Sequence, residues 1–359
     1  MKTKTFAYTG SYTTSSLSYN RYPSGVGLHV FELVNDGWES IQDIEIQNPA
    51  FLCFSKDKRT LYAACSKSPE PICGIATFHV EKDGTLKSIK NDFEFEQPIC
   101  CLTVDCAGTH MIAADFKGNL FLISLNADGT MHKILDKLTF TGTIGPLRKI
   151  QECARPHQVP FDLDGRFLII PDKGLDEIHT LEIKKNKFHR IDDISVRAAS
   201  CMRHIAFHPN RQFAYAVAEF TSRVYAMRYD STTGHLDILQ SLATERDLYT
   251  GNYCKASEIE VHPEGKMLYV SNRGDDTIGE FSIDEHTGLL KPVGWVNTGG
   301  AIPRYFCLND EGTRLYACNQ KTGNIVEFDV IPKTYELKNT GRAFNVPCPT
   351  YLLFKSIAM

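Results

Sequence analysis

One pattern recurs along this chain and limits its fold more than any other feature. A short opening, often containing proline, leads into an apolar run. A turn with Asp, Asn or Gly follows, and then a second apolar run. The openings are Pro49-Ala50, Pro98-Ile99, Pro156-His157, Met202-Arg203, Ala256-Ser257, Pro303-Arg304 and Pro349-Thr350, set 49, 58, 46, 54, 47 and 46 residues apart. Typical turns are Asp162-Leu163-Asp164-Gly165, His208-Pro209-Asn210 and His262-Pro263-Glu264-Gly265. A third run follows, as at Gly279-Glu280-Phe281-Ser282-Ile283, and a turn such as Thr287-Gly288-Leu289-Leu290 leads to a fourth.

Four short strands per unit of about 40–50 residues is the arithmetic of a propeller blade. Helical periodicity is weak throughout. The chain is therefore expected to be all-β: a seven-bladed propeller of four antiparallel strands per blade, forming one domain over residues 1–359. The seventh unit is split. Pro349 to Phe354 supplies its innermost strand, and segments at Thr5 to Thr9, Gly27 to Leu33 and Gly37 to Ile46 supply the rest. That overlap closes the ring and leaves no open sheet edge. Long insertions at Ser11 to Ser24, Thr141 to Ala154 and Arg246 to Lys255 read as loops on this scaffold. Lys184-Lys185-Asn186-Lys187 reads as a solvated hairpin tip.

Composition narrows the class. Hydrophobic content of 42% and charged content of 23% suit a soluble globular chain with ample core. The net charge of −4, without a basic block, gives no footprint for nucleic acid. No apolar run approaches the ~20 residues of a membrane span. The chain opens directly into a strand-like segment with no apolar leader. The twelve cysteines are scattered, mostly inside apolar runs, where a free thiol behaves as a small hydrophobe. Cys100-Cys101 reads as the two faces of one strand. A reduced, cytoplasmic setting is expected.

A propeller's blades surround a channel, so equivalent positions converge as rings. At the start of the inner strands the ring reads Ala50, Ile99, His157, Arg203, Ser257, Arg304 and Thr350. At the end of the following strands it reads Ser66, Asp115, Asp172, Glu219, Arg273 and Gln320. Taken singly, such charges could merely solvate the channel mouth. Three arginines near one axis repel, and such a field suits an anionic ligand, which the planar guanidinium grips in two-point fashion. A glutamate beside a histidine in the same cleft can do acid–base work. His208 and His262, each before a proline, read as structural turn residues on the blade exterior. No cluster has metal-ligand spacing, and no Gly-rich phosphate loop or Gly-x-Ser-x-Gly elbow occurs, so no metal or cofactor is implied.

Several stretches together resemble a known family. These are Tyr8-Thr9-Gly10-Ser11-Tyr12-Thr13, Pro156-His157-Gln158-Val159, Asp164-Gly165-Arg166-Phe167, Arg203-His204 with His208-Pro209, and Ala218-Glu219. Ser271-Asn272-Arg273-Gly274, Ile302-Pro303-Arg304-Tyr305-Phe306 and Cys318-Asn319-Gln320 complete the set. The chain resembles, over nearly its whole length, the seven-bladed lactonase family that joins propeller-type 6-phosphogluconolactonases with fungal carboxy-cis,cis-muconate cyclase. The resemblance implies catalytic roles for His157, Arg203, Glu219 and Arg273. Four flanking positions depart from the family pattern. Arg155 stands where a second histidine is frequent, Cys201-Met202 where Gly-Pro is usual, Ala218 where asparagine is common, and Lys173 where an apolar residue is frequent.

The expected reaction is hydrolysis of a sugar-acid lactone, with 6-phospho-D-glucono-1,5-lactone the first candidate. Arg203 and Arg273 would hold the anionic group or stabilise charge on the carbonyl oxygen. Glu219 would be the base for water and His157 the donor to the leaving ring oxygen, with no metal required. Arg304, Lys173, Lys255, Asp172 and Gln320 are further substrate-binding candidates. The substrate would be a small anionic lactone or carboxylate. The same residues also allow a cycloisomerase acting on a carboxylated muconate, a lactonase for an unphosphorylated sugar, or a non-catalytic interaction scaffold. Against the scaffold, neither Trp38 nor Trp295 precedes aspartate, as WD-type repeats would require. Oligomeric state is open.

Overall fold

The second strand of each repeat is its most apolar, and the structure puts it deepest. Thr60–Ser66, Phe213–Ala218 and Met267–Arg273 are buried along their whole length. The outermost strands alternate instead, as in Leu337–Asn345, where one face meets solvent. The structure is a computed structural model that describes residues 3–14, 24–35, 37–66, 73–246, 249–251 and 253–358, the side chains at 73, 91 and 92 excepted.

Among the described residues the strands form seven antiparallel sheets set in a ring, a seven-bladed β-propeller. Six of the innermost strands are Phe51–Phe54, Ile99–Val104, Met202–Phe207, Lys255–Val261, Pro303–Leu308 and Pro349–Ala358. The third blade departs in detail. Its innermost segment, 156–161, joins Phe167–Asp172 only through bridges at Pro156–Asp172 and Phe161–Leu168. Pro156 and Pro160 lack the N–H groups a full ladder needs, which accounts for the thin pairing. The seventh blade closes as expected: Pro349–Ala358 pairs with Thr3–Ser11, followed by Gly27–Val34 and Gly37–Glu45.

Neighbouring blades are tied by side chains that the repeat places at equivalent points. Tyr8 donates to the Gly84 carbonyl at 2.8 Å and Tyr215 to that of Gly288 at 3.1 Å; Tyr62 does the same to Gly129. His208 and His262 are not on the exterior. Both are buried, and their Nε2 atoms bond the carbonyls of Gly265 (2.9 Å) and Gly312 (3.0 Å) in the next blade's turn. A turn residue of one blade is interior to the junction with the next, so exposure could not be judged from one repeat alone. The tip at Lys185 and Asn186 is an exposed two-residue turn with both residues at positive φ, 51° and 60°.

A second regularity decides where the channel side chains go. Pairing slips by one or two residues at Cys100, Arg203, Ser257-Glu258, Arg304 and Thr350, so five of the inner strands carry a bulge near the start of the strand. Two residues before three of these bulges the backbone is left-handed, at Cys201 (φ 55°), Ile302 (φ 61°) and Cys348 (φ 49°). Non-glycine residues rarely adopt this conformation, and Ile302 is β-branched. Aspartates from the preceding blade hold two of these kinks: Asp176 Oδ1 accepts from Cys201 N–H and Asp276 Oδ1 from Ile302 N–H, both at 2.7 Å. A bulge re-aims the side chain it carries. It also brings Cys100 and Cys101, expected on opposite faces, to an Sγ–Sγ distance of 3.6 Å. The eleven described cysteines are free thiols.

Candidate active site

The backbone fixes which residues share a ring. The N–H groups of Phe116, Lys173, Glu219 and Gln320 bond the carbonyls of Pro98, Arg155, Cys201 and Ile302, each two residues before a channel-facing position. The first ring therefore takes Cys100 rather than Ile99. The second takes Phe116 and Lys173 in place of Asp115 and Asp172. Bulges shift the register by one, and sequence alignment alone does not show a bulge.

Asp172 is set apart from the cluster. It is fully buried, and its Oδ1 accepts from the N–H groups of Arg155 (2.9 Å), Gly174 (2.6 Å) and Leu175 (2.9 Å). Its Oδ2 lies 3.5 Å from His179 Nε2, whose Nδ1 in turn is 2.6 Å from Asp193. Burial alone would lower the His179 pKa, but these two carboxylates raise it. Asp172 thus anchors the chain on either side of the site, and the expected contact with substrate is not open to it. Gln151, from the 141–154 insertion, supports the same corner by donating to the Lys173 carbonyl at 2.9 Å. Residues 15–23, 247, 248 and 252 of the other two insertions lie outside the described residues.

Glu219 is the centre of what remains. It is 7% exposed, at the end of Phe213–Ala218, and four cations surround it. Lys173 Nζ donates to Oε2 at 2.6 Å, Arg203 Nε is 3.6 Å from Oε2, and Arg273 Nη2 is 3.3 Å from Oε1. Lys255 Nζ lies 4.0 Å from Oε1 and also sits over the rings of Phe220 and Tyr253. Burial would raise the Glu219 pKa. Lys173, Arg273 and Arg203 outweigh it and hold the carboxyl well below its ordinary value. Arg203 is lowered by burial and by the facing Arg273 and Arg304. The guanidiniums are steered by carbonyls: Arg203 Nη1 donates to Ser257 O at 2.5 Å and Arg273 Nη2 to Ala256 O at 3.2 Å. The Nε atoms of both are buried without a hydrogen-bond partner, and so is His157 Nδ1. Buried polar groups are rarely left without a partner, and a ligand bound beside these atoms would satisfy them.

His157 stands beside this group, its ring 5.3 Å from that of His204. Burial, then Arg203 and Lys173, drive its pKa well below the ordinary imidazole value, so it is neutral at pH 7. Arg304, one blade further round, lies over the Tyr12 ring at 5.3 Å. Gln320 is hydrogen-bonded to the Cys348 thiol.

The description "Lactonase, 7-bladed beta-propeller" matches residues 6–354. The chain belongs to that lactonase family. A Bacillus subtilis 6-phosphogluconolactonase is 27% identical over 98% of this chain and 99% of its own length. One from Formosa agariphila is 29% identical over 87% and 90% of the two chains. The solved Pseudomonas aeruginosa periplasmic gluconolactonase PpgL superposes with a TM-score of 0.88 at 20% identity, over 99% of this chain and all of that one. At that identity the likeness speaks for the fold.

The structure gathers Arg203, Arg273, Lys173 and Lys255 around Glu219, with His157 beside them and Arg304 one blade further round. Three residues were not among the expected set. Tyr12 is fully buried beneath Arg304, and its place in the opening motif was the available signal. His204 and Glu258 are buried below Arg203, and their Nδ1–Oε1 distance is 2.7 Å. Each directly follows a ring position, Arg203 or Ser257, so simple alternation gives no reason to group it with the site.

Proposed function

We propose that this chain, acting as one propeller domain over residues 1–359, hydrolyses 6-phospho-D-glucono-1,5-lactone to 6-phosphogluconate. One observation carries it: a single carboxylate, Glu219, has four cations within 4.0 Å, which leaves a surplus of positive charge facing the channel. Its relatives named 6-phosphogluconolactonase supply the substrate class.

Arg203 and Arg273 donate to the lactone carbonyl oxygen as it gains negative charge, from Nε groups that make no hydrogen bond among the described residues. Arg304, Lys173 and Lys255 receive the phosphate. Neutral His157 hydrogen-bonds the ring oxygen that leaves C1. Glu219 is better suited to organise the cations than to take a proton, because Lys173 already donates to its Oε2 and Arg273 and Lys255 face its Oε1. The roles expected from sequence, Glu219 as base and His157 as acid, are revised on that ground. The free thiols suit a reducing, cytoplasmic setting. No helix among the described residues is long and apolar enough to cross a membrane.

The test is pH-stat hydrolysis of freshly prepared 6-phosphogluconolactone, with wild type, Arg203→Ala and Glu219→Gln side by side. Wild type should exceed the spontaneous rate and both variants should fall towards it. A wild-type rate equal to background rejects this substrate, and unphosphorylated lactones and carboxymuconates in the same assay decide what replaces it.

A further inference from the structure

Next to Arg203, at the junction of the fourth and fifth blades, lies a buried pair of titratable side chains. His204 and Glu258 are 3% and 4% exposed. His204 Nδ1 and Glu258 Oε1 are 2.7 Å apart across the blade junction. Glu258 is itself held. Its Oε1 accepts from Ile259 N–H at 3.1 Å, and its own N–H donates to Ser271 Oγ at 3.0 Å. Glu258 Oε2 is buried without a hydrogen-bond partner.

This arrangement fixes the tautomer of His204. A carboxylate accepts, so Nδ1 carries the proton and Nε2 is the bare, accepting nitrogen. The 3.3 Å approach of Arg203 Nη1 to Nδ1 is then a contact between two donors, consistent with Nη1 donating instead to Ser257 O at 2.5 Å. No described residue bonds Nε2, and the ring lies 5.3 Å from His157 at the lactone pocket. Burial and then Arg203 lower the His204 pKa to about 4 against the opposing pull of Glu258, so the ring is neutral at pH 7 with its Nε2 lone pair open, while His157 Nδ1 has no such partner.

We infer that His204, oriented by Glu258, is the general base that activates water for attack on the lactone. This rests on the lactone-hydrolysis reading above. Nε2 takes one proton from water as its oxygen bonds to C1, and the carbonyl electrons move onto the oxygen held by Arg203 and Arg273. When the carbonyl re-forms, the bond from C1 to the ring oxygen breaks, and that oxygen takes the proton back from Nε2. The new carboxylic acid loses its remaining proton to solvent, so His204 ends as it began. Glu258 accepts from Nδ1–H throughout and stabilises the imidazolium while it exists.

Two measurements test this, one of which needs no activity. In ¹⁵N NMR of the full chain, His204 should be the Nδ1–H tautomer, with a low-field Nδ1 proton that Glu258→Gln moves upfield. An Nε2–H tautomer overturns the assignment whatever the enzyme does. In kinetics, His204→Asn should lower kcat about 10²–10⁴-fold with KM changed little. Glu258→Gln, which can still accept from Nδ1, should cost about ten- to a hundredfold. Adding Glu258→Gln to His204→Asn should cost almost nothing more, because the pair acts as a unit. A folded His204→Asn variant with kcat within threefold of wild type, or fully multiplicative losses, overturns it. If wild type itself has no activity on any lactone, the hydrolysis reading fails in that assay, while the NMR arm still decides the pairing.

Discussion

Glu219 and Glu260 are carboxylates on the same propeller core, the first buried and the second half-buried, and their surroundings push them in opposite directions. Burial would raise both. At Glu219 the cations win and hold the group ionised. Glu260 accepts one hydrogen bond, from Leu308 N–H at 2.8 Å, and has no ion pair among the described residues. Burial pushes it up to about 8. It lines a cavity of about 420 Å³ at the far end of the inner strands, beside Phe51, Tyr305 and Tyr351. Those three rings are closely packed, at centroid distances of 4.3 and 4.0 Å. One channel therefore has a charged end and a largely apolar one. The bulges sit at the charged end, and they turn Arg203 and Arg304 inward. Past them, regular alternation returns, and apart from Gln158, Glu260 and the rim residues Lys58 and Asp310 the lining is mainly apolar.

The sharpest way to break this contrast is to remove an arginine. Arg203→Ala should lower kcat/KM for the lactone by about 10²–10³-fold, the size of loss expected when one oxyanion donor is removed. Arg304→Ala, further from the carbonyl, should act mainly on KM for the phosphorylated substrate and leave an unphosphorylated lactone unaffected. Steady-state kinetics on both lactones separates the two.

Glu219→Gln tests the charged end through stability. The substitution preserves shape but leaves Lys173, Arg203 and Arg273 facing one another without a counter-charge. Breaking a buried ion pair from one side costs about 3 kcal/mol or more. Urea unfolding should show a lower midpoint that added phosphate partly restores, as an anion takes up the vacated role. An unchanged midpoint would mean that the cations relax away from one another.

At the apolar end the handle is pH. With its pKa raised from 4.5 to about 8, Glu260 keeps a proton in the folded chain that the unfolded chain has lost across that window. Unfolding free energy from this group therefore falls as pH rises from about 4.5 to 8, and below 4.5 both states are protonated. Glu260→Gln should remove that fall, which is at most about 5 kcal/mol. Denaturation of both proteins at pH 5 and pH 9 reads it directly: little difference at pH 5, and the variant more stable at pH 9.

How far the sequence foretold this contrast depends on the kind of residue. The blade count, the split seventh blade and the inward positions of Arg203, Glu219 and Arg273 follow from repeated spacing, because blades repeat by near-rigid rotation. What spacing hides is a change of register. Asp172 and Lys173 are neighbours, and a one-residue slip decides which enters the pocket and which anchors the backbone behind it. The departure at Lys173 was visible in the motif. Its contact with Glu219 was not, because that contact is made across two blades. His204 and Glu258 were passed over for a related reason: each directly follows a ring position, and simple alternation gives no cause to group it with the site.

The smallest expected effect lies at the rim of the apolar end. Lys58 Nζ and Asp310 Oδ2 are 3.9 Å apart, with side chains 46% and 89% exposed. Water already solvates both groups, so their pairing replaces good hydration with little else, and Lys58→Ala should change stability by no more than about 0.5 kcal/mol. Lactone kinetics should be untouched, since the pair is at the opposite end from Glu219. If Lys58→Ala instead shifted the Glu260 titration in the pH 5 to pH 9 comparison, the two ends would differ in reach to solvent and not in charge alone. Lys58 would then be acting on Glu260 through the cavity they share, and burial by the aromatic lining would explain only part of the raised pKa.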